Sequence, residues 1–269
     1  MKGLENGMLV DSHCHLDYLA AADADLSAVV ERARRAGVGR MVTICTKLSE
    51  FAQVAAIADR FDDVYCSVGV HPHEAATEGQ KNAARLIELA AGEKVVGIGE
   101  TGLDYFYEHS PRDRQRESFI AHIEAARQTG LPLIVHARDA DDDTVAILKE
   151  EAGKGAFPGV IHCFTAGPAL AAAALEIGFY ISLAGIVTFR NAEALRQTAA
   201  TVPLARLLVE TDSPYLAPVP KRGKTNEPAF VVHTAEALAT ARGMSAADFA
   251  AATSDNFFRL FNKVERPPA

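Results

Sequence analysis

Six residues far apart along the chain share one circumstance: His13, His15, Glu100, His136, His162 and Asp212 each stand at the end of a short apolar run. Imidazole nitrogens and carboxylate oxygens are the donors that hold divalent cations, and a cation held this way activates water for hydrolysis. His13 and His15 are two apart, so in extended backbone both rings project to one side while Cys14 points away. An H-x-H pair alone is more often incidental than ligating; its place at a strand end, with partners elsewhere, reverses that judgement. Glu100 has glycines on both sides in Val96-Gly97-Ile98-Gly99-Glu100-Thr101-Gly102-Leu103-Asp104, which lets backbone come close. Its two oxygens suit it to bridge two cations about 3.5–4 Å apart. His136 closes Leu133-Ile134-Val135, and His162 closes Val160-Ile161. One such residue would pass for a buried core histidine; two at equivalent places in successive units do not. Asp212 follows Val209-Glu210-Thr211 and is placed to touch metal and take a proton from water, with a turn or capping role as the plainer alternative.

Around this set lie residues expected to meet substrate. His71 and His73 flank Pro72 in a strand-end turn; His71 is expected to contact substrate or donate a proton, and His73 is left outside the site. Arg138 sits beside His136, and Lys221-Arg222-Gly223-Lys224 leads into Asn226. On an acidic protein such a positive cluster is where a phosphate would be held, which makes Arg138, Arg222 and Asn226 the expected substrate contacts. Tyr105, Phe106, Tyr107 and Phe164 offer rings for base stacking or for packing. His109, His122 and His233 fall where surface or packing roles are expected.

Something must gather these side chains. Eight β-rich runs alternate with amphipathic segments: Met8-Asp11, Met41-Cys45, Val64-Gly69, Val95-Gly99, Leu133-His136, Gly159-His162, Tyr180-Leu183 and Leu207-Glu210. Most are continuously apolar, as parallel strands covered on both faces must be. Between them, Leu26, Val29, Val30 and Ala33 form one helical face, with Asp25 to cap it and Gly37 to end it. A second helix is expected from Ser110-Pro111 to Gly130, with Phe119 and Ile123 on one side. Eight units in this chain leave roughly 34 residues each, close to the 30 or more of a βαβ element, so the expected fold is a (β/α)8 TIM barrel of the metal-dependent hydrolase type. A doubly wound open sheet would carry a glycine-rich phosphate turn after its first strand; here that strand ends in Asp11-Ser12-His13-Cys14-His15. Barrel enzymes hold their reacting groups at the carboxyl ends of the strands, which is where all six residues fall.

Composition sets outer limits. The 269 residues are 49% apolar and 23% charged, ordinary for a globular chain with a sizeable core. A formal net charge of −8 argues against wrapping nucleic acid over the whole surface, leaving local basic patches as the way to hold it. No apolar run approaches the 18 or more residues that span a bilayer, and residues 1–7 lack the apolar region of a secretory signal, so no membrane partner and a cytoplasmic home are expected. Those seven residues read as a short leader before one domain over 8–262. Cys14, Cys45, Cys66 and Cys163 show no C-x-x-C spacing and are expected to be free, buried thiols. A monomer is the expected state.

The motifs V-D-S-H-C-H-L-D, G-V-H-P-H, G-I-G-E-T-G-L-D-Y, V-H-A-R, I-H-C-F-T, E-T-D-S-P-Y-L-A-P, N-E-P and N-F-F-R-L-F make the chain from Leu9 to about Phe261 resemble the TatD family of metal-dependent deoxyribonucleases. The resemblance implies two divalent metal cations. His13, His15, Glu100 and Asp212 would surround one, Glu100, His136 and His162 the other, with Glu100 bridging. It also implies DNA phosphodiester hydrolysis from a 3′ end; a barrel mouth admits one strand more readily than a duplex, so single strands are the expected substrate, and Glu100, Asp212 and His71 are the expected catalytic residues. Magnesium or manganese suits that chemistry, and a histidine-rich site would also take up zinc. Two other activities are compatible with such a barrel: ester cleavage of D-aminoacyl-tRNA, and amidohydrolase-type hydrolysis of a small substrate. The second often relies on a carboxylated lysine as the bridge, whereas here Glu100 holds that place and Lys94 enters the same strand at its opposite end. A binding module without catalysis is at odds with an intact set of six donors.

Overall fold

The apolar runs become the eight strands β1 (Leu9–Cys14), β2 (Val38–Thr43), β3 (Val64–Val68), β4 (Val95–Asp104), β5 (Leu133–Arg138), β6 (Gly159–Ile161), β7 (Tyr180–Leu183) and β8 (Leu207–Val209). All pair in parallel and in chain order in one sheet. A computed structural model of the chain describes residues 8–78 and 83–267, and the expected leader over residues 1–7 lies outside them. Beyond the end of β8 a parallel bridge between Cys14 and Ser213 curls the sheet into a barrel.

That last seam is stitched largely by side chains. The Asp11 carboxylate accepts from Thr211 N (2.8 Å) and from Thr211 Oγ1 (2.6 Å), and Ser12 Oγ donates to the Val209 carbonyl at 3.1 Å. Backbone bonds from Asp212 N to His13 O (2.9 Å) and from His15 N to Ser213 O (2.8 Å) complete it. The strand-end residues of β1 and the segment after β8 are therefore held together at the same place.

Three strands run past the ends their apolar runs predict. β1 extends through His13 to Cys14, β4 continues past Glu100 to Asp104, and β5 continues to Arg138. The second extension has a steric basis. Gly99 and Gly102 have φ of 142° and 131°, values that side chains rarely adopt, and a Cβ on Gly69 would stand 2.3–2.6 Å from the Gly99 backbone. Bare backbone at these points lets the ends of β3 and β4 approach closely.

The helices follow the expected caps. Leu26–Arg35 begins at Asp25, whose side chain accepts from Ser27 N, and it buries Leu26, Val29, Val30 and Ala33. Arg112–Thr129 ends at Gly130 with φ 71° and buries Phe119 and Ile123. An outer core lies between sheet and helices. An inner one joins Val10, Val42, Val96, Ile134, Val160 and Leu208 of the strands to Phe257, Leu260 and Phe261 at the end of the helix Ala246–Leu260. Burying each phenylalanine is worth about 1.5–3 kcal/mol, and together these side chains fill the amino-terminal part of the barrel. The carboxyl-terminal mouth is left for chemistry. No helix among the described residues is long and apolar enough to cross a membrane. The four cysteines are free; three are buried, and Cys163 is half-buried at the mouth.

Candidate metal centre

The mouth holds a cleft of about 650 Å³ whose lining includes His15, His71, Glu100, His136, His162 and Asp212. His13 lies just beneath, 1% exposed. All six donors expected from the strand ends thus converge on one place, although they come from β1, β4, β5 and the segments after β1, β6 and β8.

Glu100 is the centre of the arrangement. Its Oε2 is 3.4 Å from His13 Nε2 and 3.9 Å from His15 Nε2. Its Oε1 is 2.7 Å from His162 Nε2, 3.1 Å from His136 Nδ1 and 3.4 Å from His71 Nε2. One carboxylate therefore offers each of its oxygens to a different set of imidazoles. Asp212 closes the first set, with Oδ1 3.5 Å from His15 Nε2 and 3.7 Å from His13 Nε2, while the two imidazoles stand 3.3 Å apart.

These separations can be tested against a metal. Four tetrahedral donors each about 2.1 Å from a cation stand about 3.4 Å from one another. The distance between the His13 and His15 nitrogens and those from each of them to Glu100 and Asp212 run from 3.3 to 3.9 Å. His162 Nε2 adds a second sign: it is buried and lies close to Glu100 Oε1, yet without hydrogen-bond geometry, so it has no hydrogen-bonding partner. The donor set and its spacing fit divalent cations. His71 also joins Glu100 and His136 in a group able to hold an ion.

Electrostatics point the same way. Burial by itself would push the Glu100 carboxyl up, but the imidazoles of His162, His71, His13 and His136 outweigh it and hold the group well below its ordinary value. Burial and imidazoles compete likewise at Asp212, where His15, His13 and His162 win and lower it. Both carboxylates stay ionised at neutral pH, as ligands must. Burial drives His71 down to about 4 despite the neighbouring Glu100. It is neutral near pH 7, with Nδ1 accepting from His73 N at 3.1 Å. Its place in the cleft permits the substrate contact expected of it, and with Nδ1 accepting, its one proton lies on Nε2.

Two carboxylates that the strand-end reading passed over support the ligands. Asp104 is 1% exposed, and its Oδ2 lies 3.1 Å from His136 Nε2 and 2.9 Å from His73 Nε2. Burial raises its pKa, but hydrogen bonds from His136 and His73 outweigh that and leave it far below the usual carboxylate range. Glu210, fully buried, places Oε1 3.3 Å from His162 Nδ1 and accepts from Cys163 N at 2.6 Å. Each pairing turns the imidazole's other nitrogen toward Glu100. Asp104 is four after Glu100 and Glu210 two before Asp212, where surrounding polar residues and glycines hide both from a strand-end reading.

The expected substrate contacts divide. Arg138 lines the cleft, its guanidinium 4.2 Å from the Phe106 ring centre and 4.7 Å from that of Tyr107. Arg222 is exposed and stacks on Phe189 at 3.8 Å, outside the cleft lining. Asn226 does not reach the cleft. It is fully buried, and its amide donates to the Thr211 (2.8 Å) and Tyr215 (2.6 Å) carbonyls while its oxygen accepts from Glu227 N. Every polar atom of that side chain is engaged in holding the segment that carries Asp212. Among the rings, Phe164 is buried core and Tyr105 donates to Asp143 at 2.6 Å, whereas Phe106 and Tyr107 are exposed. His73 sits on Asp104, and His109 lies parallel to Tyr107 at 5.5 Å. His122 is buried: Nδ1 donates to Ser118 O (2.7 Å), and Nε2 accepts from Val70 N (3.0 Å), next to His71. His233 lies 3.4 Å from Glu236.

An eight-stranded parallel barrel with histidines and carboxylates gathered at its carboxyl mouth is the architecture of a metal-dependent hydrolase. Comparison with known proteins makes the assignment definite. The chain belongs to the TatD family: the family model described as TatD related DNase matches residues 10–262. It is 48% identical over 256 residues to the metal-dependent hydrolase YcfH of Escherichia coli K12, covering 94% of this chain and 96% of that one. It is 37% identical over 252 residues to the 3′-5′ ssDNA/RNA exonuclease TatD of Cronobacter sakazakii, covering 91% and 95%. The solved structure of YjjV, a TatD homologue from Escherichia coli K12, superposes with a TM-score of 0.84 at 30% identity, covering 94% and 98%.

Proposed function

We propose that this hydrolase cleaves phosphodiester bonds of single-stranded DNA from the 3′ end, at a centre of two divalent cations shared by Glu100. The observation that carries the reading is the division of the Glu100 oxygens between His13 and His15 on one side and His136 and His162 on the other. His13, His15, Glu100 and Asp212 would hold one cation; Glu100, His136 and His162 would hold the second. When bound, the cations ease deprotonation of water at neutral pH and offset charge gathering on phosphoryl oxygens.

The chain's own groups supply the rest. Asp212, 15% exposed and ionised, faces the cleft, where its carboxylate orients the attacking water and accepts its proton. Arg138 binds the phosphate; Phe106 and Tyr107 hold it in place without neutralising it. A charge pattern favours a polyanion over a small neutral substrate. Among the described residues, the cations whose side-chain nitrogens have neither an acidic partner nor a hydrogen bond are Arg138, Arg190, Lys221, Arg222 and Lys224. All five lie at the end of β5 or in the segments after β7 and β8, around the mouth of a protein with net charge −8.

The test is a 5′-labelled single-stranded oligonucleotide incubated with the protein and Mg²⁺ or Mn²⁺, with chelator and Glu100→Ala as controls. Progressive shortening that chelator and substitution both abolish is the expected result. Equal cleavage by wild type and variant, or none by wild type with either metal, overturns the reading. A parallel D-aminoacyl-tRNA deacylation assay then shows whether the same centre serves an ester instead.

A further inference from the structure

Large apolar side chains left in water deserve a reason when they gather. Among the described residues these are Phe106, Tyr107, Ile120, Tyr215 and Val219, and all but Ile120 lie on the segments that follow β4 and β8. In a ring of eight strands β4 and β8 stand opposite one another, and Tyr107 and Tyr215, from the segments that follow them, both line the cleft.

The β8 side is the simpler. Tyr215 is 55% exposed and meets His15 and Tyr18 only edge-on, at 6.5 Å and 68° and at 6.4 Å and 75°, so neither ring lies flat on it. Tyr18 itself is stacked on His15 at 4.8 Å and 10°, and its hydroxyl is 2.8 Å from Thr46 Oγ1. On the β4 side the Arg138 guanidinium lies over Phe106 and Tyr107, whose rings meet edge-on at 4.7 Å and 89°. This cluster is anchored to the centre, because Asp104 Oδ1 accepts from Phe106 N (3.1 Å) and Tyr107 N (2.9 Å) while its Oδ2 takes His136. On the other side Tyr215 N donates to the Asp212 carbonyl at 3.0 Å, so the backbone under each group is tied to a residue of the centre.

We propose that Tyr215 and the Phe106–Tyr107–Arg138 cluster are stacking platforms on opposite sides of the cleft, each taking one of the two bases that flank the phosphate to be cleaved. The idea rests on the single-strand reading above and adds the recognition of bases to that of phosphates. Aromatic faces and guanidinium planes stack on any base, so the strand is gripped without regard to sequence. Duplex ends, whose bases are already stacked and paired, fit this grip poorly.

The test is binding, measured by fluorescence anisotropy in chelator so that no cleavage intervenes. One labelled single-stranded oligonucleotide is intact; a second, of equal length, carries abasic residues at its two 3′-terminal positions. Tyr215→Ala should weaken binding of the intact strand by roughly 5- to 100-fold and leave the abasic strand unaffected, whereas Phe106→Ala/Tyr107→Ala, which also loosens Arg138, should weaken both strands with the larger loss on the intact one. Tyr215→Phe should restore tight binding. Equal losses on both strands, or none on either, overturn the platforms while leaving nuclease action standing. A wild-type protein that neither binds nor shortens any oligonucleotide overturns the single-strand reading, and the platforms with it.

Discussion

Asp104→Asn isolates how a carboxylate that touches no metal can set the affinity of the centre. With a cation bound, Asp104 Oδ2 would keep the proton of His136 on Nε2 and leave Nδ1, 3.1 Å from Glu100 Oε1, free to face the metal. Asparagine keeps the shape and the Oδ1 bonds to Phe106 N and Tyr107 N. In place of Oδ2 it presents an N–H to two imidazoles that had been donating. His136 then does best with its proton on Nδ1, the atom that should meet the cation. Losing such a partner typically costs 10- to 100-fold in metal affinity, or about 1.4–2.8 kcal/mol. The loss should fall on one cation only, because His13 Nδ1 and His15 Nδ1 have no hydrogen-bonding partner to lose. Competition titration of Mn²⁺ against a chromophoric chelator should show one of two binding events weakened and the other unmoved. His73→Ala, which removes the other imidazole on Asp104, should leave both events near wild type. Two unchanged events in a folded Asp104→Asn protein, or equal weakening of both, would refute the account of His136.

His122 is held neutral by burial, which drives its pKa down to about 4 from an ordinary 6.5, so between those values the unfolded chain binds more protons than the folded one. Stability should therefore fall as pH drops from 6.5 toward 4, with up to about 3 kcal/mol assignable to this residue. Urea titrations across that window should show a shallower fall in His122→Gln than in wild type; identical slopes would contradict it. Asn226→Ala leaves the buried carbonyls of Thr211 and Tyr215 without their donor and should cost about 1–3 kcal/mol by chemical denaturation. It should reduce oligonucleotide cleavage by displacing Asp212 and Tyr215, and unchanged stability would show that water replaces the amide without penalty.

Much of the site is legible in the sequence because a parallel barrel writes its strands as unbroken apolar runs, and whatever polar residue ends a run must emerge at the mouth. His136 and Glu100 are visible on that principle alone. Asp104 is not, since β4 continues in Thr101-Gly102-Leu103, where mixed polarity and a glycine look like a turn. Glu210 reads as one more polar residue on the way to Asp212; only the pairing of β8 with β7 and the position of His162 reveal its task. Asn226 illustrates the converse. Its neighbours are cations on the rim, so its type and place suggest a phosphate contact, but backbone carbonyls claim its amide. Which polar group faces in and which faces the ligand depends on distant chain, and no local spacing records it.

The seam between first and last strands has a consequence for when the protein can be dangerous. His13 and His15 arrive from one lip of that seam and Asp212 from the other, tied by the bonds of Asp11 to Thr211 and of His13 to Asp212. A chain whose last strand is not yet in place, or whose ring is opened along this line, lacks Asp212 beside His13 and His15, the groups that would hold the first cation, even if the other seven strands are paired. Hydrolytic power is thus withheld until the circle is whole, and any lapse of the fold at that line disarms it.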